Sequence, residues 1–212
     1  MISVEQARGY YPADDPAHDF DHVLRVLAMA RRLASAEGAD LEIVETAALL
    51  HDIARSDERA SGRDHALESA RRTAEILAGW PPERMEAVAH AIAAHRFRND
   101  LVPGTLEARV LYDADKLDSM GAIGVARAYA VAGMCGQRLW AAVDEGWAEQ
   151  KSSQEHHHDL HAEHTPVHEF AFKLSRLAGT LFTPTARAIA AQRHEFMVAY
   201  FDRLEQEVKG EA

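Results

Sequence analysis

Apolar residues recur at three- and four-residue spacing through most of the chain, which is the periodicity of amphipathic helices. The pattern is clearest in HVLRVLAMARRLASAEG, LEIVETAALLHDIA, HALESARRTAEILAG, PPERMEAVAHAIAAH and TLEARVLYDADKLDSMG, and each of these runs predicts a helix. Convincing strand alternation is lacking. Gly38 and Gly79 follow two of the runs, while Pro81-Pro82 and Pro103 open others, as helix ends and first turns prefer. From Lys151 to Pro166 the stretch KSSQEHHHDLHAEHTP loses the periodicity and is expected to form a loop with the character of a mobile excursion or lid. Beyond it, HEFAFKLSRLAG and PTARAIAAQRHEFMVAYFDRLEQEVKG predict amphipathic C-terminal helices over about 167–209. The expected fold is all-α: a single domain over 1–212, with a compact helical core at about 17–136, a loop at about 151–166 and a C-terminal helical extension. A core ending near Gly136 with a separate small helical cap is the alternative partition.

Composition narrows the class. Hydrophobic residues make up 47% and charged residues 27% of the 212 positions, the usage of a globular protein rather than a disordered or membrane chain. Twenty-three basic against 34 acidic residues give a formal charge of -11, the wrong sign for a surface that wraps duplex nucleic acid. Such a chain can still bind a small phosphate compound where a metal and a few local cations reverse the sign inside one pocket. The opening residues MISVEQARGYYPADD lack a basic segment followed by an apolar run, and no apolar stretch reaches spanning length, so a cytoplasmic location without membrane contact is expected. The single cysteine, Cys135 in AGMCGQ, has no neighbouring base and is read as structural or surface.

Charged-type residues inside apolar runs are the chemical signal. ALLHDIAR sets His51 and Asp52 side by side in a segment whose other positions belong in a core. His22, the His51-Asp52 pair and the acidic DADKLD stretch from Asp113 to Asp118 fall on three separate predicted helices, which can converge on one point. Burying such groups unpaired costs roughly 2–7 kcal/mol each, and a divalent metal removes that penalty. Imidazole and carboxylate ligands suit manganese, iron, zinc or magnesium. Cations recur nearby: Arg25 is three residues after His22, Arg55 four after His51, and Lys116 directly follows Asp115. At about 100° per residue, offsets of three and four share a helical face, so ligand and cation would face one pocket. Fixed cations around a metal are what phosphoryl transfer needs. An ordinary surface salt-bridge lattice is the competing account of Arg25, Arg55 and Lys116.

The ordered set AHDFDHVLRV, ALLHDIAR, DHALESA, IAAHRFR and LYDADKLDSMGAIGVARAY resembles the HD-domain superfamily of metal-dependent phosphohydrolases, and specifically one bacterial branch of it. The tail AIAAQRHEFMVAYFDRLEQE is also similar to that branch. The resemblance implies a helical core with metal ligands at His22, His51, Asp52 and Asp115; within DADKLD, Asp113 and Asp118 remain rivals to Asp115. Some relatives with monophosphatase activity have a glutamate three residues after the His-Asp aspartate, where this chain has Arg55, which argues against that activity. Relatives bearing DADKLD and GAIGVAR resemble nucleoside triphosphate pyrophosphatases, so the implied reaction is hydrolysis of a (deoxy)nucleoside triphosphate to monophosphate and pyrophosphate. The alternatives are a phosphodiesterase or phosphomonoesterase acting on another small phosphate metabolite, and a non-catalytic nucleotide-binding regulatory module. The implied cofactor is a divalent ion, manganese first, with iron, cobalt, nickel, zinc and magnesium as the others; a homodimer is an open assembly state.

On this account Arg25, Arg55 and Lys116 bind phosphate, and Asp52 or Asp118 orients or deprotonates water. His65 and His95 are candidates for phosphate binding, leaving-group protonation or ligation of a second metal, with His65 assigned to substrate and His95 to catalysis. His90, five residues before His95 and about 140° round the helix, is expected to be structural. The loop histidines His156, His157, His158, His161 and His164 are read as solvated rather than as a metal site, and His168 as part of a lid.

Overall fold

A computed structural model describes residues 2–11, 20–96, 101–144 and 164–212, without the side chains of 59 and 60. Among these residues every regular element is helical, as the sequence periodicity predicts. They form α1 (Val4–Arg8), α2 (Phe20–Glu37), α3 (Leu41–Leu50), α4 (Arg55–Ser61), α5 (His65–Ile76), α6 (Pro82–Ala93), α7 (Leu106–Asp118), α8 (Gly121–Met134) and α9 (Pro166–Phe172). A 3-10 stretch, Leu174–Thr180, and the long α10 (Pro184–Lys209) complete the chain. No described helix is long and apolar enough to cross a membrane.

The chain divides into two compact units: residues 1–116 with 181–186, and residues 117–180 with 187–212. In the first, α3 is buried from Ile43 to Leu50, all but its first two residues, and packs against α2 and α6. A helix apolar on all sides needs such enclosure. Its one buried acid, Glu45, is met by the Arg31 guanidinium through two bonds of 2.8 and 3.1 Å. Starts and stops follow local chemistry. Asp40 caps α3 by accepting from the amides of Glu42 and Ile43, and Asp64 caps α5 by accepting from those of Ala66 and Leu67. Pro82 occupies the first turn of α6, and Gly38, at φ 77°, closes α2 in the left-handed conformation.

Two boundaries differ from the periodicity. LEIVETAALLHDIA reads as one helix, but α3 stops at Leu50, residues 51–54 turn, and α4 begins at Arg55. Backbone groups at this break find distant partners: the Tyr11 hydroxyl donates to the Leu49 carbonyl at 3.0 Å, and the Ala54 amide donates to Ser69 Oγ at 3.1 Å. Likewise HEFAFKLSRLAG divides into α9 and the 3-10 stretch. The expected loop at 151–166 lies outside the described residues as far as 163.

In the second unit, α9 packs on α8 and on the 3-10 stretch, and Phe170 stacks on Phe201 with centroids 4.4 Å apart. The chain enters α8 through a close corner. A Cβ on Gly124 would stand 2.3 Å from the Ser119 carbonyl oxygen, so only glycine fits there.

Candidate metal centre

Four helices and the turn after α3 deliver ionisable side chains to one place in the first unit, all of them buried except the half-buried Asp115. His22 comes from the first turn of α2, His51 and Asp52 from the turn, His65 from the start of α5, His95 from just beyond α6, and Asp115 from α7. The break after Leu50 matters here, because it lets adjacent residues His51 and Asp52 both project into the cluster.

Asp52 lies at the centre. Its Oδ2 is 3.7 Å from His51 Nε2 and 3.9 Å from His22 Nε2, while its Oδ1 is 3.3 Å from His65 Nε2 and 3.5 Å from His95 Nε2. The His22 and His51 Nε2 atoms are 3.3 Å apart, and Asp115 Oδ1 is 3.4 Å from His22 Nε2. Two groupings with metal-ligand spacing result, His22–His51–Asp52 and Asp52–His65–His95, sharing Asp52; Asp115 adjoins the first through His22.

Hydrogen bonds fix the ring tautomers. His51 Nδ1 donates to the Ala48 carbonyl at 2.8 Å, His95 Nδ1 to the Ile92 carbonyl at 2.6 Å, and His65 Nδ1 to Glu58 Oε2 at 2.8 Å. A carbonyl or carboxylate partner requires the proton on Nδ1, so a neutral ring turns its Nε2 lone pair toward Asp52. Among the described residues, no hydrogen-bond donor serves the buried Asp52 Oδ1. Facing lone pairs around a buried carboxylate demand positive charge, from protons on the imidazoles or from a metal ion. Burial opposes the protons: it lowers His51 to about 4 and lowers His65 as well. The carboxylates nonetheless stay ionised. Burial pushes Asp52 up, but the surrounding imidazoles, His51 foremost, and the Arg55 guanidinium more than reverse this. Asp115 is likewise raised by burial and held well below the ordinary carboxylate range by Lys116 and His22. Neutral imidazoles with ionised carboxylates are the protonation state a divalent ion takes, so the residues present fit such an ion.

The cations proposed from spacing are distributed unequally. Lys116 Nζ donates to Asp115 Oδ2 at 2.7 Å and lies 5.1 Å from the Tyr112 ring centroid, so it braces a ligand. Arg55, which starts α4 instead of continuing the helix of His51, brings Nη1 to 2.9 and 3.1 Å from the two ring nitrogens of His65. Arg25 is half-buried on α2, three residues beyond His22.

The three aspartates of DADKLD separate by environment. Asp113 accepts from the amides of Phe182 and Thr183 and from the Thr183 hydroxyl at 2.9, 2.7 and 2.7 Å, tying α7 to residues 181–186. Asp118 belongs to the second unit, where its carboxylate is paired with Arg127 at 3.0 Å. Asp115 lies beside a histidine of the cluster, with Oδ1 3.4 Å from His22 Nε2. His90 accepts the Gly104 amide at 3.1 Å. His168 accepts within a capping box with Thr165, and His164 lies 3.3 Å from Glu169. His156, His157, His158 and His161 lie outside the described residues.

Spacing did not expose three supporting residues. Glu58 receives the His65 proton and an Arg96 bond at 2.8 Å, and Arg96 also reaches the helix cap Asp64 at 2.8 Å. Burial raises Glu58, but the His65 bond and the charges of His65, Arg96 and Arg55 bring it down to about 2. Tyr11, edge-on to Phe20 at 5.3 Å, closes over the Leu49 carbonyl next to the ligand turn. Glu58 lies one turn beyond Arg55, the only sequence signal that could have marked it.

Comparison with known proteins agrees with this architecture. The family model of the HD domain matches residues 19–120. The protein YpgQ of Bacillus subtilis, described as uncharacterized, is 32% identical over 201 residues, spanning 93% of this chain and 87% of its own. The crystal structure of YpgQ in complex with ADP superposes with a TM-score of 0.73 at 32% identity, covering 99% of this chain and 100% of that one. A predicted HD superfamily hydrolase from an uncultured Thermotogales bacterium gives a TM-score of 0.63 at 30% identity, covering 96% and 88%. The chain therefore belongs to the HD-domain superfamily and is a hydrolase of that family.

Proposed function

We propose that this enzyme is a metal-dependent phosphoanhydride hydrolase acting on nucleotides, converting a nucleoside or deoxynucleoside triphosphate to its monophosphate and pyrophosphate. The observation that carries the reading is the buried ionised Asp52 shared by two ligand groupings and bordered by Arg55. His22, His51, Asp52 and Asp115 would hold one divalent ion, with manganese as the first candidate for this imidazole and carboxylate set. When bound, the ion supplies Lewis acidity toward a phosphate oxygen and toward water.

The protein's own groups then have distinct tasks. Lys116 holds Asp115 in place, leaving its other oxygen toward His22. Arg55 and Arg25 offer positive charge to the equatorial oxygens of a phosphate chain, where negative charge spreads during displacement. Asp52 orients water, and His95, fixed by the Ile92 carbonyl, presents Nε2 to the reacting groups. His65 stands beside Arg55 with its Nδ1 proton committed to Glu58. Asp118 is assigned no part, since its carboxylate is engaged by Arg127. Support for a nucleotide comes from YpgQ, whose structure was determined with ADP.

The test is product analysis. Protein stripped of metal, reloaded with manganese and incubated with a panel of nucleoside and deoxynucleoside triphosphates is expected to give pyrophosphate and monophosphate by phosphorus NMR. Orthophosphate as the sole phosphate product, or nucleotide binding without turnover under any of several divalent metals, overturns the reading.

A further inference from the structure

Nothing in the local sequence ends α3 at Leu50. The stretch LLHDIARS contains no glycine or proline, its apolar pattern runs on through Ile53, and Ala54, which precedes α4, has no side chain with which to cap it. A continued helix would pair the Ile53 amide with the Leu49 carbonyl and the Ala54 amide with the Leu50 carbonyl. Side chains from elsewhere in the chain intercept both pairings. The Tyr11 hydroxyl, arriving from just beyond α1, donates to the Leu49 carbonyl at 3.0 Å, and its oxygen accepts from the Asp52 amide. Ser69 Oγ, fully buried on α5, accepts from the Ala54 amide at 3.1 Å. It does for α4 from a distance what the third residue of a capping box does locally. The Ile53 amide is left to the Leu50 carbonyl, in a longer bond of 3.4 Å.

The interception brackets the adjacent residues His51 and Asp52. Successive side chains on an α-helix point about 100° apart. In the turn, His51 Nε2 and Asp52 Oδ2 approach to 3.7 Å, while Asp52 Oδ1 lies 3.3 and 3.5 Å from His65 and His95 Nε2. His51 is tied back to α3 through the Ala48 carbonyl, so the conformation of residues 51–54 decides where the Asp52 carboxylate stands relative to it.

We infer that Tyr11 and Ser69 are positioning residues of this centre: two hydroxyls, far apart in sequence, that hold residues 51–54 out of α3 so that one carboxylate, Asp52, serves both ligand groupings. Each acts through the backbone of the turn rather than as a ligand. The conformational part stands without any metal; the effect on ion binding rests on the metal reading proposed above.

The test uses Tyr11→Phe, Ser69→Ala and the two combined, with Thr73→Ala as the control, one turn further along α5 and equally buried. In metal-free protein the Ala54 backbone, at φ -106° and ψ 11°, is read through its Cα chemical shift. The combined variant is expected to move that shift to the helical range as α3 extends, and each single variant to move it part of the way, whereas Thr73→Ala leaves it in place. Calorimetric titration with manganese is expected to show about tenfold weaker binding for each single variant and about hundredfold for the pair, the scale on which partners behind a ligand act. Thr73→Ala stays close to wild type. An unmoved Ala54 shift in the single and combined variants, wild-type affinity in the folded combined variant, or an equal loss of affinity in Thr73→Ala each overturns the inference and leaves the proposed function standing. If the combined variant does not fold, the single variants decide by the same two readouts. Absence of manganese binding in wild type defeats the proposed function instead, and the Ala54 shift still decides whether the two hydroxyls hold the turn.

Discussion

Asp113 and Asp115 lie two residues apart on one helix and should fail in opposite ways. Asp113 is fully buried and accepts three hydrogen bonds, two of them from backbone amides. Replacing it with alanine leaves those amides without an acceptor, at about 1–3 kcal/mol each, while the Thr183 hydroxyl can rotate away. A loss of about 4 kcal/mol is expected, a large part of the roughly 5–15 kcal/mol that stabilises a typical domain. Asp113→Asn, which keeps one acceptor oxygen, should cost about half as much and remain foldable. Among the described residues, Asp115 meets the Lys116 ammonium and the edge of His22. Lys116 has the Tyr112 ring as a second resting place, so Asp115→Asn should cost about 1 kcal/mol or less in metal-free protein. Manganese affinity should show the reverse order: nearly unchanged in Asp113→Asn and weakened by at least about tenfold in Asp115→Asn, as loss of a ligand demands. Urea unfolding of metal-free protein and calorimetric titration with manganese measure the two quantities. If Asp115→Asn retains full affinity, or Asp113→Ala unfolds within about 1 kcal/mol of wild type, the assignment of roles along α7 is wrong.

Other expectations follow from the same geometry. His51 binds a proton near 4 in the fold against an ordinary 6.5, so between these values the unfolded chain carries the extra proton and stability falls as pH is lowered. For this group the loss between pH 7 and 5 is about 2 kcal/mol, measurable in metal-free protein by urea melts at each pH; His65 acts in the same direction, and a flat profile contradicts both. Glu58→Gln removes the charge behind His65 but leaves an acceptor, so turnover should fall about tenfold with manganese content unchanged. Tyr11→Phe should cost about 1 kcal/mol by exposing the Leu49 carbonyl's unmet bond, read as a shift in the urea midpoint.

Helix periodicity and capping residues made most of α2, α5, α6 and α7 legible, because those signals are local. The end of α3 was not, since its apolar pattern runs unbroken through Ile53. It stops because Tyr11 and Ser69, distant in sequence, take up backbone groups on either side of His51 and Asp52. The ligand candidates could be named from residue type and motif, and the structure brings His22, His51, Asp52 and Asp115 together. Spacing could not separate the three acids of DADKLD. Their different roles depend on Thr183, His22 and Arg127, partners that tertiary folding supplies. Arg55 shows the limit most clearly: the offset from His51 suggested a shared helical face, whereas the residue reaches the cluster by starting a new helix beside His65.

The central claim is that the buried cluster around Asp52 is the seat of metal-dependent phosphoanhydride hydrolysis. Its most direct test is pyrophosphate release from a nucleoside triphosphate by Asp52→Ala beside wild type, with manganese in excess and folding verified by circular dichroism. Loss of pyrophosphate release together with loss of the tightly bound ion is the predicted result; sustained release from the folded Asp52→Ala protein would contradict the account.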